Sequence, residues 1–287
     1  MTTARPTEHE PSGMAIWIAV AGGLLAGWAW LQFAQRLGDT IEIDSLVALM
    51  AIFYGLVFAP LILLALVLGW FCHNRIAWSG PAPLRAVAVG AMIGSVGLAF
   101  AAFYGWLNGG MVTGAGAAAA TRLLLFGLLL TCFQAGAEEV FFRGWLQPVL
   151  VARIGATGGV LLAAVLFSLF HLVGSPHEPL ALVNLALGGL LFGVLALRSG
   201  GLAAPAAAHV AWNATEDLGL GLVPNPGTGP LGALVDLDLM GSSWWGGSPE
   251  GLNASIGTTL VLLALILLSS AIRWHGKTSV PTEAIAS

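Results

Sequence analysis

Apolar residues arrive in long unbroken runs rather than in the short alternating patterns of a soluble core. Runs of about 17 to 25 residues are long enough to cross a bilayer as helices. They predict spans near 14–35, 45–71, 86–107, 119–142, 158–173, 180–197, 201–217 and 255–273. The expected fold is therefore all-α: a polytopic membrane helix bundle of about eight transmembrane helices, forming one domain over 14–273. Polar residues flank it, and 1–13 and 274–287 are expected as tails, the first disordered. The stretch 143–157 mixes Arg, Trp and Gln with apolar positions, which predicts a helix extension or an interfacial piece with a kink at Pro148. The Gly- and Ala-rich stretch 109–120 predicts a flexible lead into the fourth span.

Composition agrees: 57% of the 287 residues are hydrophobic and 8% charged, against roughly 25% charged in soluble domains. The net charge is −4, and the ten Lys and Arg are scattered, so no basic face exists to follow a phosphate backbone; nucleic acid is not an expected partner. The partners expected are the lipid bilayer and whatever the bundle acts on. Cys72 and Cys132 lie on separate apolar segments without Cys-x-x-Cys spacing and are expected to be buried, inert thiols. A polar start with one Arg against two Glu, followed by a full-length span, argues against a cleaved signal peptide.

Placing the N-terminus inside puts Arg5, Arg75, Arg85, Arg143, Arg153, Arg198, Arg273 and Lys277 on the cytoplasmic side and only Arg36 and Arg122 outside. That split predicts a multi-pass protein of the plasma membrane with both termini cytoplasmic, and the composition suggests a prokaryote. The long connection 218–254 contains no Lys or Arg and belongs outside. Gly23/Gly27, Gly90/Gly94 and Gly189/Gly193 are spaced i, i+4, as in small-residue faces that let helices approach closely.

The polar residues inside the runs carry the chemistry. An ionisable group in a bilayer costs at least ~2.5 kcal/mol on lenient scales, so each needs a partner or a purpose. In the fourth run Glu139 and Arg143 are four apart and share a helix face with the acid N-terminal, the favourable order for an ion pair. Glu138 is rotated about 100° away, which leaves it the less easily neutralised carboxylate and the candidate general base or acid. The competing structural role is a headgroup-level cluster with Arg143 snorkelling. Phe167 and His171 form a second i, i+4 pair, and His209 and Asn213 a third. A lone histidine would serve as a helix–helix hydrogen bond. Two Glu, one Arg, two His and one Asn on three spans supply instead the parts to hold and deprotonate a water and to stabilise an oxyanion.

Glu138-Glu139-x-x-x-Arg143, Phe167-x-x-x-His171 and His209-x-x-x-Asn213, in that order on successive hydrophobic segments, resemble the CPBP family of intramembrane proteases, also called the Abi or CAAX-protease family. The likeness spans about 120–273, so the protease-like core is expected at 119–273. It implies an eight-helix bundle with a polar cavity and an intramembrane endopeptidase acting on a membrane-anchored peptide or protein substrate. Carried over by position, Glu138 activates the water with His171, Glu139 and Arg143 brace Glu138, and His209 with Asn213 stabilise the oxyanion. No cofactor is expected. If a divalent metal such as zinc is used, the ligands would be Glu138, His171 and His209 on different helices, since His-Glu-x-x-His is lacking. Non-enzymatic alternatives are a bacteriocin-immunity or membrane-scaffolding protein of the same family, and a transporter with a proton relay through Glu138 and His171.

Counting rise along straight helices puts Glu138, His171 and His209 about 6, 18 and 12 Å from the cytoplasmic surface, scattered about a cavity in the inner half. His177, Glu178, Asp236 and Asp238 fall in loops and are expected to be solvated, His73 and His275 at span ends, and Trp244–Trp245 to anchor the outer loop.

Overall fold

A computed structural model describes residues 11–114, 121–173, 177–272 and 274. Most of both expected tails, with His275, and part of the 109–120 stretch lie outside the described residues. The helices are α1 (Gly13–Gly38), α2 (Leu46–Phe71), α3 (Pro83–Leu107), α4 (Thr121–Glu139), α5 (Gln147–Phe170), α6 (Pro179–Ser199), α7 (Ala203–Ala214) and α8 (Ile256–Ala271). Their ends follow local chemistry. Ser12, Ser45 and Ser255 accept hydrogen bonds from the first turns of α1, α2 and α8, while Pro83 and Pro179 open α3 and α6 where no amide donor is needed.

The fold is an all-α membrane helix bundle. Among the described residues five helical stretches are long and apolar enough to cross a membrane: α1, α2, α3, the run Arg122–Phe170 and α6. The helix α8, with 16 residues, is apolar but shorter, and α7 has 12. Leu84, Trp70 and Leu267 are among the large apolar side chains turned outward, as lipid contact requires. Cys132 is exposed on this outer surface and Cys72 half-buried, so the expectation of buried thiols is corrected. An apolar residue can face lipid as readily as a core.

The Arg122–Phe170 run contains two irregularities and is divided into two helical paths by the second. Residues Val140–Leu146 widen into a π-helix joining α4 to α5, and Gly155 breaks α5 with φ of 79°. Beyond Gly155 the chain doubles back: a Cβ on Gly159 would meet the Val151 backbone at 2.5 Å, and Phe167 and Phe170 return to pack on Phe142 with ring centroids 5.2 Å apart in both cases. The kink expected at Pro148 is therefore at Gly155. Pro148 lies just past the π-helical segment, where the Gly144 carbonyl four residues earlier accepts instead from the Asn74 side chain at 2.8 Å, whereas the reversal needs a left-handed residue, which glycine supplies. The segment from Arg143 to Leu150 is not interfacial either, because Arg143, Trp145 and Gln147 are all buried in the bundle.

Two core clusters result. One gathers Phe141, Phe142, Trp145, Phe167 and Phe170 against α1 and α2, and the other gathers Leu98, Phe192, Leu195 and Trp212 against α3 and α8. Gly90 and Gly94 let α3 lie directly on α7, where added Cβ atoms would strike the carbonyl oxygens of Ala204 and Ala208.

Met111–Thr113, expected in a flexible lead, instead forms β1, paired antiparallel with β2 (Leu237–Leu239). The long connection before α8 is thus folded back onto the bundle. Asn225 organises it, donating to the Leu239 and Ser248 carbonyls at 2.9 and 2.8 Å and accepting from the Leu239 amide at 2.8 Å. The loop polar groups are not freely solvated as expected. His177 pairs with Glu250 at 2.7 Å, Glu178 donates its amide to the same carboxylate, Asp238 accepts from the Gly227 amide at 2.7 Å, and Asp236 has a buried carboxylate oxygen. Trp245 packs on Tyr104 at 5.6 Å while Trp244 is exposed.

Candidate active site

Where the two core clusters meet, the bundle buries a polar constellation. Glu139 is fully buried on the last turn of α4, and Arg143, in the π-helical segment, binds its Oε1 at 3.0 Å. The guanidinium also donates to the Gly189 carbonyl on α6 at 2.9 Å and lies 4.4 Å from the Phe167 ring centroid. Four residues on, Gln147 donates to the Gly193 carbonyl at 3.0 Å. The Gly189/Gly193 pair therefore brings α6 close enough for its carbonyls to take two side-chain donors from the widened helix. A buried charge needs both a counter-ion and satisfied donors, and Arg143 has them. It is held in the core and does not snorkel.

His209 on α7 joins the same carboxylate, with Nδ1 3.0 Å from Glu139 Oε1. Its ring stacks on Phe192 with centroids 4.7 Å apart and meets Phe167 edge-on at 6.0 Å. A carboxylate only accepts, so when ionised Glu139 holds the Nδ1–H tautomer or the imidazolium and turns Nε2 the other way. There Nε2 faces Glu138 Oε2 at 3.9 Å.

Glu138 belongs to a different environment from its neighbour. It lines a cavity of about 320 Å³ together with His171, His209 and Asn213, while Glu139 and Arg143 stand behind the wall. Gln134, one turn earlier on α4, donates to Glu138 Oε1 at 3.3 Å, and Oε2 is buried without a hydrogen bond. His171, at the end of α5, has Nδ1 2.9 Å from the Phe167 carbonyl. A carbonyl can only accept, so Nδ1 carries a proton, and in the neutral ring Nε2 keeps its lone pair.

All six sequence-predicted residues are thus brought to one locus, four on the cavity wall and two supporting it from behind. The scattered depths counted along straight helices do not keep Glu138, His171 and His209 apart, because the π-helical segment and the reversal at Gly155 displace α4 and α5 from that simple geometry. As zinc ligands the three do not converge. Among the described residues no group of three or more His, Cys, Asp and Glu could hold a metal ion. Gln134 escaped the sequence reading, although its i, i+4 spacing to Glu138 was the available signal. Glu216 and Asp217, which also line the cavity, escaped as well, although two acids within the span expected at 201–217 were the available signal.

A second cavity of about 290 Å³ opens on the other side of Glu138. It shares Tyr54, Gln134, Glu138 and His171 with the first and is otherwise walled mainly by apolar residues such as Leu31, Val57, Phe58 and Phe142.

Compared with known families, residues 120–215 match the model described as type II CAAX prenyl endopeptidase Rce1-like. No curated protein and no solved structure matches the chain. The matched segment contains every residue of the three motifs, from Glu138 to Asn213. Over residues 120–215, about a third of its length, the chain is therefore similar to the Rce1-like type II CAAX prenyl endopeptidases of the CPBP family.

Proposed function

We propose that this protein is an intramembrane endopeptidase that hydrolyses peptide bonds in membrane-anchored peptides or protein tails, with Glu138 as the base. One observation carries this: Glu138 presents a buried carboxylate oxygen, without a hydrogen-bond donor and 3.9 Å from His209 Nε2, to a cavity that also receives His171. Family membership at the level of an Rce1-like endopeptidase supports the same activity.

In this scheme a water is held between Glu138 Oε2 and the lone pair of His171 Nε2. Glu138 takes one proton as the water oxygen bonds to the scissile carbonyl carbon. The carbonyl oxygen becomes an oxyanion, which accepts from the Asn213 amide and from His209, whose imidazolium form has one proton held by Glu139 and the other directed at the cavity. Collapse breaks the C–N bond, and Glu138 returns its proton to the leaving nitrogen. Glu139 and Arg143 are positioning residues for His209. No metal enters the scheme, because among the described residues the His and acidic donors do not converge as ligands. The second, largely apolar cavity suits the membrane-embedded part of a substrate. By the distribution of Lys and Arg we place both termini inside, and by its Ala- and Gly-rich composition we place the protein in the cytoplasmic membrane of a prokaryote.

The test compares peptide termini by mass spectrometry in membranes containing wild-type protein or Glu138→Gln at equal abundance. Termini near a membrane segment that occur only with the wild type are expected. Purified protein that cuts equally well with Gln at 138 would refute the role given to this residue. A folded wild type that cuts nothing would favour partner binding by the same polar cluster.

A further inference from the structure

Two acids on the wall of the candidate active site have no part in the scheme above. Glu216 and Asp217 lie in a π-helical turn, Thr215–Gly219, that extends α7 beyond Asn213. Both face the cavity that holds Glu138. Glu216 is only 5% exposed. Its carboxylate meets the Trp212 side chain, but an indole has a single N–H to give, and Glu216 Oε1 is buried with no partner.

The lining of this cavity therefore includes three carboxylates and neither Lys nor Arg. Arg143 is already committed to Glu139 and the Gly189 carbonyl behind the wall. Buried carboxylates without a counter-ion are costly, and a ligand that brings the missing positive charge removes that cost. A small inorganic cation would need several donors around one point, and among the described residues no group of three or more acidic, His or Cys side chains offers that. A long side chain with a cationic head needs only one or two acceptors at the end of a slot. The cavity of about 320 Å³ has room for one. On the far side of Glu138 the second cavity is mainly apolar, so the two arms that meet at the base differ in chemistry.

We infer that Glu216, with Asp217 beside it, forms a specificity subsite for a Lys or Arg side chain near the cleaved bond of the substrate. The assignment rests on the endopeptidase function proposed above. The substrate then carries a basic residue on one side of that bond and an apolar stretch on the other.

The test uses the full chain in lipid nanodiscs, in buffer containing EDTA. The substrates are membrane-anchored Ala/Leu peptides with blocked termini, each carrying one lysine walked along the sequence, and their norleucine counterparts. At one position the lysine peptide is expected to exceed its counterpart in kcat/KM by about tenfold or more. In Glu216→Gln that ratio is expected to fall to about one, and in Asp217→Asn to an intermediate value. In parallel, fluorescence anisotropy measures binding of the same peptides to Glu138→Gln protein with and without Glu216→Gln. Cleavage without any lysine preference overturns the subsite and leaves the endopeptidase standing. Absence of cleavage, with lysine-selective binding that Glu216→Gln removes, keeps the subsite and overturns the endopeptidase. Equal binding of both peptides, or binding of neither, together with no preference in cleavage, overturns the subsite. If Glu216→Gln does not fold, Asp217→Asn and the wild-type preference decide.

Discussion

Replacing Arg143 by Met should be the most damaging single change in the core, and its size can be worked from the contacts. The Arg143 and Glu139 side chains are 1% and 0% exposed and 3.0 Å apart. Removing the cation leaves a buried carboxylate with His209 Nδ1 as its remaining partner, and stranding one member of a buried pair costs about 3–5 kcal/mol. Arg143→Lys keeps the charge but loses the planar fork that reaches both Glu139 and the Gly189 carbonyl, and the stacking on Phe167. It should cost about 1.5–3 kcal/mol, the worth of one charged hydrogen bond. In a Glu139→Gln background the buried guanidinium is itself the stranded charge, so Arg143→Met should there be neutral or stabilising. Equilibrium unfolding in mixed micelles, followed by the fluorescence of the 11 tryptophans, gives all four corners of this cycle. A cost below about 1 kcal/mol for Arg143→Met, or the same cost with Gln at 139, would refute the claim that the pair is held by mutual neutralisation.

Further outcomes are expected at other positions. Gln134→Leu removes the donor on Glu138 Oε1 and should lower kcat about tenfold or more with the fold intact; an unchanged rate would show that this contact does not orient the base. Gly94→Ala pushes a methyl against the Ala208 carbonyl and should destabilise by about 1–3 kcal/mol, whereas Gly22→Ala, with open space around it, should be neutral or slightly stabilising. Asn184→Leu deletes hydrogen bonds to the Asn253 and Ser255 carbonyls and from the Thr259 hydroxyl. Thermal unfolding should show a loss of about 2–4 kcal/mol there. Chelation by phenanthroline should leave cleavage rates unchanged, and a loss restored by zinc would overturn the metal-free scheme.

Much of this molecule is legible along the chain because membrane helices are a local phenomenon. Uninterrupted apolar length and the absence of water compel a helix wherever a run is long enough, so the all-α bundle and most helix limits follow from the sequence. The pairing of Glu139 with Arg143 is also local, fixed by i, i+4 geometry on one helix. The motif order of Glu138, His171 and His209 pointed, without any coordinates, to the family whose model residues 120–215 match. What the sequence could not settle depends on how each helix is rotated and where it bends. Glu138 and Glu139 are adjacent, yet one faces the cavity and the other is sealed behind it, a division made by α6 and α7 from more than 40 residues away. The reversal at Gly155 and the strand pairing of Met111–Thr113 with Leu237–Leu239 are likewise set by distant packing. The cavity wall drew in Gln134, Glu216 and Asp217 in the same way. A periodic pattern records which residues share a face of their own helix, but which faces meet is decided only when the helices pack, because side-chain volume and buried charge are balanced across the bundle and not along the chain.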